Sequence, residues 1–94
     1  MTSYHGVDVR ATAENLQLLE DLRISCWGLN EVDDKTQIEF DVLADDVPMG
    51  YIYSWKEYRE LDVFDIIDFH IGANSYRDSI RIKEYVQSKL REII

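Results

Sequence analysis

Asp62, Asp65, Asp68 and His70 stand among large apolar side chains in the stretch ELDVFDIIDFHIG, residues 60–72. Carboxylates three residues apart beside an imidazole are the groups that hold a divalent cation or move a proton. What they could do depends on the element that carries them. Drawn as a strand from residue 62, one face holds Val63, Asp65, Ile67, Phe69 and Ile71, and the other holds Asp62, Phe64, Ile66, Asp68 and His70. Each face then mixes charge with apolar bulk, which a half-buried strand avoids. Drawn as a helix, the three aspartates fall on one side at steps of about 60°. Val63, Phe64, Ile66, Ile67 and Ile71 fall on the other side. The pattern predicts a helix over 63–71, with Asp62 as N-cap, Gly72 as the residue after its end and the aspartates as a solvated stripe. Asp65 and Asp68 could share an ion on that helix, but His70 turns to the margin of the apolar arc, so no metal site is expected.

Other residues of chemical interest form no constellation. Cys26 is the only cysteine, which rules out an internal disulfide and a cysteine-based zinc site. It could be activated by His5 or His70, yet beside Trp27 in a strand-like stretch it reads as a packed side chain. Asp33–Asp34 and Asp45–Asp46 are turn pairs without the spacing of a calcium loop. The chain holds no glycine-rich phosphate loop, no His-Glu-x-x-His and no Gly-x-Ser-x-Gly. Neither a catalytic residue nor a cofactor is expected.

The elements that would position these groups follow from periodicity. Ninety-four residues with 46% apolar content are expected to make one domain, 1–94, with one core. Thr12 is a good N-cap for an amphipathic helix over 13–23, with Leu16, Leu18, Leu19, Leu22 and Cys26 on one arc. ISCWGLNEV reads as strand, VDDKT as a turn. In QIEFDVLA, Ile38, Phe40 and Val42 alternate with Gln37, Glu39 and Asp41, the clearest half-buried strand in the chain. DDVPMG is the next turn and GYIYSW a third strand, on which Met49, Tyr51, Tyr53 and Trp55 share a face. Ser54 and Glu57 form a capping box for a short helix in WKEYREL. Asn74 and Ser75 precede a helix over 76–93, with Ile80, Ile82, Val86, Leu90 and Ile93 along one side. The expected fold is α+β: a three-stranded antiparallel meander with an N-terminal helix and a C-terminal helical pair on one face. Residues 4–10 can add a fourth, N-terminal edge strand.

The net charge is −9. A charge of that size favours basic partners and opposes contact with phosphates and anionic lipid. Residues 1–75 hold 16 of the 19 acidic side chains but only five of the ten basic ones, so any phosphate-facing surface belongs at the C-terminus. The start of the chain lacks a signal-peptide pattern and no stretch is apolar enough to span a membrane; a cytoplasmic location is expected.

Charge and aromatic content lead to a small acidic protein-interaction module that docks on a basic protein surface. Inhibitors, antitoxins, immunity proteins and phage-type nucleic-acid mimics work in this way, with carboxylates in place of phosphates. The expected binding residues are Asp33, Asp34, Glu39, Asp41, Asp45, Asp46, Tyr51, Tyr53, Trp55, Asp62, Asp65 and Asp68, and the role demands that they be contiguous. A second expectation is a nucleic-acid binder. Helices 63–71 and 76–93 joined by GANS would form a helix-turn-helix with Arg77, Arg81 and Arg91 on its basic face; the nearby aspartates oppose it. A third is a small enzyme or ligand-binding domain completed by dimerisation. A homodimer through an open sheet edge is compatible with the first and third.

Overall fold

The computed structural model describes residues 2–27, 38–55 and 61–93. The chain runs through β1 (Ser3–Thr12), α1 (Ala13–Leu16), β2 (Leu22–Trp27), β3 (Ile38–Ala44), β4 (Val47–Tyr53), β5 (Ile66–Ala73) and α2 (Tyr76–Ile93). The strands form one sheet in the order β1-β5-β4-β3-β2. Every pairing is antiparallel. Strands β2 to β5 are a meander, and β1 adds to its far side by pairing with β5.

One face of the sheet is apolar. Val7, Val9 and Ala11 of β1, Ile67, Phe69, Ile71 and Ala73 of β5, Ile52 of β4, and Ile38, Phe40 and Val42 of β3 are buried. The rings of Phe40 and Phe69 meet edge to face at 6.3 Å. A buried phenyl ring contributes about 2–3 kcal/mol of burial free energy, so this pair anchors the centre of the core. Helix α2 covers that face with Ile82, Val86 and Leu90, and Leu16, Leu19 and Leu22 join the same core. The helix starts where expected: Asp78 N donates to Ser75 Oγ at 3.1 Å, satisfying one of the unpaired amides of the first turn.

The fold differs from the expectation in three places. Among the described residues the sheet has five strands where a meander of three, or four with an N-terminal edge strand, was expected, and residues 66–73 are strand β5 where a helix was expected. No C-terminal helical pair therefore exists over 63–93, and Gly72 lies inside a strand. The ladder explains the switch: Ile67, Phe69 and Ile71 alternate inward between β1 and β4, which a helix would waste. Asp62 and Asp65 precede the strand. Phe64 N donates to Asp62 Oδ1 at 3.0 Å and Asp62 N donates to Asp65 Oδ2 at 2.7 Å, so the two carboxylates tie a turn. The N-terminal helix is also shorter than expected. After Gln17 N donates to Ala13 O, the amides of Leu18, Leu19 and Leu22 donate three residues back. Leu22 is already committed to β2, opposite Val42, and this pairing ends the helix early. The helix expected in WKEYREL, the turn at 32–36 and Asp33 and Asp34 lie outside the described residues. The expected capping partner Glu57 also lies outside the described residues; Ser54 Oγ accepts from Ile38 N at 3.1 Å, and the Ser54 amide donates to Ile38 O at 2.9 Å.

Candidate functional site

The second face of the sheet carries the chemistry. Across it, side chains of directly opposed residues stand in rows. One row reads Asp8, His70, Tyr53, Glu39, and the next reads Tyr4, Gly72, Tyr51, Asp41, Arg23. A third, nearer the start of β5, pairs Arg10 with Asp68. This face is the opposite of the one that α2 covers.

A bulge in β1 builds one end of the site. Five residues of β1, from Tyr4 to Asp8, oppose only three of β5, from Gly72 to His70. Gly6 absorbs the excess at φ +80°, in the left-handed region that a side chain disfavours. The chain doubles back enough for Tyr4 to stack on His70, with centroids 4.3 Å apart and planes at 19°. The Tyr4 hydroxyl donates to Asp8 Oδ1 at 2.8 Å. His70 Nδ1 lies 2.8 Å from the same oxygen, but at an angle that makes no aligned hydrogen bond among the described residues. Tyr53 meets His70 edge-on at 5.7 Å and Trp55 edge-on at 6.2 Å. Stacked and edge-to-face contacts of this kind hold rings in place beyond their burial. The result is a continuous aromatic run: Tyr4, His70, Tyr53, Trp55.

Charge on this face is negative. Glu39 accepts from Ser25 Oγ at 3.0 Å. Arg10 lies 3.4 Å from Asp68, both largely exposed; such a pair contributes little stability but places a cation on an anion. Tyr4 and Tyr53 register the negative field. The Tyr4 hydroxyl is held above its usual pKa first by its bond to Asp8. Tyr53 is raised first by burial and then by the Asp8 and Glu39 charges. Between the rings lies a hollow of about 230 Å³ whose lining includes Tyr4, Tyr51, Tyr53, Trp55, Glu39 and Gly72.

Of the residues expected to bind, Glu39, Asp41, Tyr51, Tyr53, Trp55 and Asp68 come together on this face. The others do not. Asp45 and Asp46 form the tip of the β3–β4 hairpin, whereas Asp62 and Asp65 form the turn before β5. The register puts these two turns at opposite ends of the sheet. The described acidic residues are therefore not one patch, and Asp62, Asp65 and Asp68 do not form a stripe on a helix. Tyr4, Asp8 and Gly72 belong to the site and were not expected there. Reading 66–73 as a strand would have exposed Gly72, since Asp68, His70 and Gly72 then alternate outward.

Arg77, Arg81 and Arg91 are exposed on α2, on the far side of the molecule. With β5 in place of the preceding helix, they are not part of a helix-turn-helix. Arg81 instead lines a larger, mainly apolar cleft of about 370 Å³ between α2 and the β3–β4 hairpin, together with Asp21, Asp45, Asp78 and Tyr85. Among the described residues, no three His, Cys, Asp or Glu side chains converge as a metal site, and no helix is long and apolar enough to cross a membrane. No family model matches this chain, and no curated protein or solved structure matches it significantly.

Proposed function

We propose that this chain is a small acidic protein-interaction module that docks on a basic protein surface through the sheet face opposite α2. The carrying observation is the pair of cross-strand rows in which Asp8, Glu39 and Asp41 stand among Tyr4, Tyr51, Tyr53 and His70. Tyrosine and tryptophan supply large contact area at low entropic cost and dominate binding hot spots. The carboxylates, within a net charge of −9, steer a cationic partner into register and reject phosphates. Inhibitors, immunity proteins and nucleic-acid mimics belong to this class. The partner is a protein with a basic groove or patch, in the same reducing compartment that a lone cysteine fits.

The test is affinity capture from the native host with three baits: the unaltered chain, Glu39→Lys/Asp41→Lys, and Arg77→Glu/Arg91→Glu. The expected partner is a basic protein retained by the first and third baits, absent from the second, and released by rising salt. Retention that survives the sheet-face reversal and disappears with the α2 reversal would place docking on the helix side and remove this reading.

A further inference from the structure

We infer that the hollow over Gly72 is a receptor for the guanidinium group of an arginine on the protein partner. The inference rests on the sheet face being the docking surface and names what that surface grips.

The hollow exists because position 72 has no side chain. Tyr4 and Tyr51 flank it in register on the two neighbouring strands. A Cβ at Gly72 would stand 3.5 Å from Tyr53 Cε1 and 3.9 Å from Ser3 O, ordinary contact distances, and its φ lies outside the left-handed region. Neither packing nor backbone conformation demands glycine here. At Gly50 the reverse holds, since a Cβ would meet Gly72 O at 2.4 Å. What glycine supplies at 72 is the space itself.

The chemistry of the walls selects the occupant. Tyr4, Tyr51, Tyr53, Trp55 and Glu39 line the space, and among the described lining residues there is no lysine, arginine or histidine. Aromatic faces and a carboxylate attract a cation and repel an anion. Arg10 is held at Asp68, and Arg23 lies across from Asp41, so neither nearby cation belongs to the lining. A guanidinium is planar, stacks on rings, and gives up its hydration more readily than an ammonium. At about 230 Å³ the hollow is below the ~300–1,000 Å³ of sites for drug-sized ligands, which fits one side-chain head and the end of its stem.

The test is a two-dimensional amide NMR titration with a blocked Gly-Arg-Gly peptide, its lysine counterpart, and its citrulline counterpart, which keeps the shape and loses the charge. The expected result is saturable shifts at Ser3, Tyr51, Tyr53 and Gly72. Citrulline should bind about tenfold more weakly or not at all, with lysine between the two. Gly72→Leu should fill the hollow and abolish the shifts while the spectrum stays dispersed; Gly72→Ala serves as the milder variant should leucine disturb the sheet. Equal binding of citrulline, shifts confined to Asp62 and Asp65 or to α2, no saturable shift, or full binding by a folded Gly72→Leu would each overturn the inference. So would shifts of the same amides produced by a mononucleotide, or by raising the protein concentration alone, which would put an anion or a second copy there. A basic protein captured through Glu39 and Asp41, without any response to the arginine peptide, would leave the docking surface standing and remove only the receptor.

Discussion

Tyr4 stacks on His70 at 4.3 Å because Gly6 turns the chain at φ +80°. A Cβ at Gly6 would meet nothing within 4 Å, so the cost of a side chain there is conformational alone. Gly6→Ala is expected to lower stability by about 1 kcal/mol. It should also straighten the bulge and release Tyr4. Urea unfolding measures the first effect. Loss of the ring-current shift on the His70 carbon-bound protons measures the second. An unchanged ring-current shift would show that the stack does not depend on the bulge.

Gly50 and Gly72 sit one step out of register on adjacent strands and answer to different constraints. Gly50→Ala drives a Cβ to 2.4 Å from Gly72 O and 3.0 Å from Ile82 Cδ1. Backbone on one side and the α2 contact on the other leave no easy escape. Overpacking of this kind costs about 1–3 kcal/mol and at times more, and the upper end is expected. Gly72→Ala makes only ordinary contacts and should stay within about 0.5 kcal/mol of the parent, in the range of surface substitutions. Thermal or urea unfolding of the two variants side by side checks the contrast.

How far the fold was legible depended on where each pattern was framed. β3 was plain because Ile38, Phe40 and Val42 alternate with charge and the strand is half wet. Helix α2 was plain because Ser75 and its long apolar stripe agree. β5 was hidden because its alternation, drawn from residue 62, mixes charge into both faces. That frame put Asp65 on the inner face, although the strand starts at Ile66, beyond the turn that Asp62 and Asp65 tie. From Ile66 onward the inner face is wholly apolar: Ile67, Phe69, Ile71, Ala73. The turn chemistry of the aspartates is a local signal, and it was outweighed by their helical spacing. Helix 13–23 was overextended for a different reason. Leu16, Leu19 and Leu22 suit a helix, but the pairing of Leu22 with β3 is a tertiary choice that local periodicity does not contain. The aromatic half of the site was visible in the alternation of Tyr51, Tyr53 and Trp55. Tyr4 and Asp8 were not, because only the β1–β5 register brings them there.

Asp45 and Asp46 connect β3 to β4 with φ of 51° and 65°, between the paired residues Ala44 and Val47. Two successive left-handed residues in a two-residue loop are a type I′ turn, for which Asn-Gly is the favoured sequence. Aspartate tolerates that region but strains more than glycine, and two carboxylates side by side repel. Asp45→Asn/Asp46→Gly is expected to raise stability by about 1 kcal/mol. The rise should appear as a higher urea midpoint with unchanged slope. A lower midpoint would mean that the carboxylates, not the turn geometry, hold the hairpin tip.

Tyr85 of α2 donates its hydroxyl proton to Asp21 Oδ2, tying the helix to the turn before β2. The pKa of Tyr85 is pushed from 10.0 up to about 12, first by that bond, then by burial and by the Asp21, Glu20 and Glu92 charges. The folded protein therefore keeps a proton that the unfolded chain loses near pH 10. The stabilisation from this group is whole below pH 10 and is lost as pH rises from 10 through about 12. Tyr85→Phe should cost about 1 kcal/mol at neutral pH, the net value of one such bond. Tyr4 and Tyr53 are also raised, so both proteins weaken in alkali, and the informative quantity is the difference between them. That difference should hold constant up to pH 10 and shrink toward zero by about pH 12. Urea unfolding of the pair across this range, with phenolate absorbance followed in the folded state, measures it. A difference that stays constant through the window would detach the stability of the α2 contact from the Tyr85 proton.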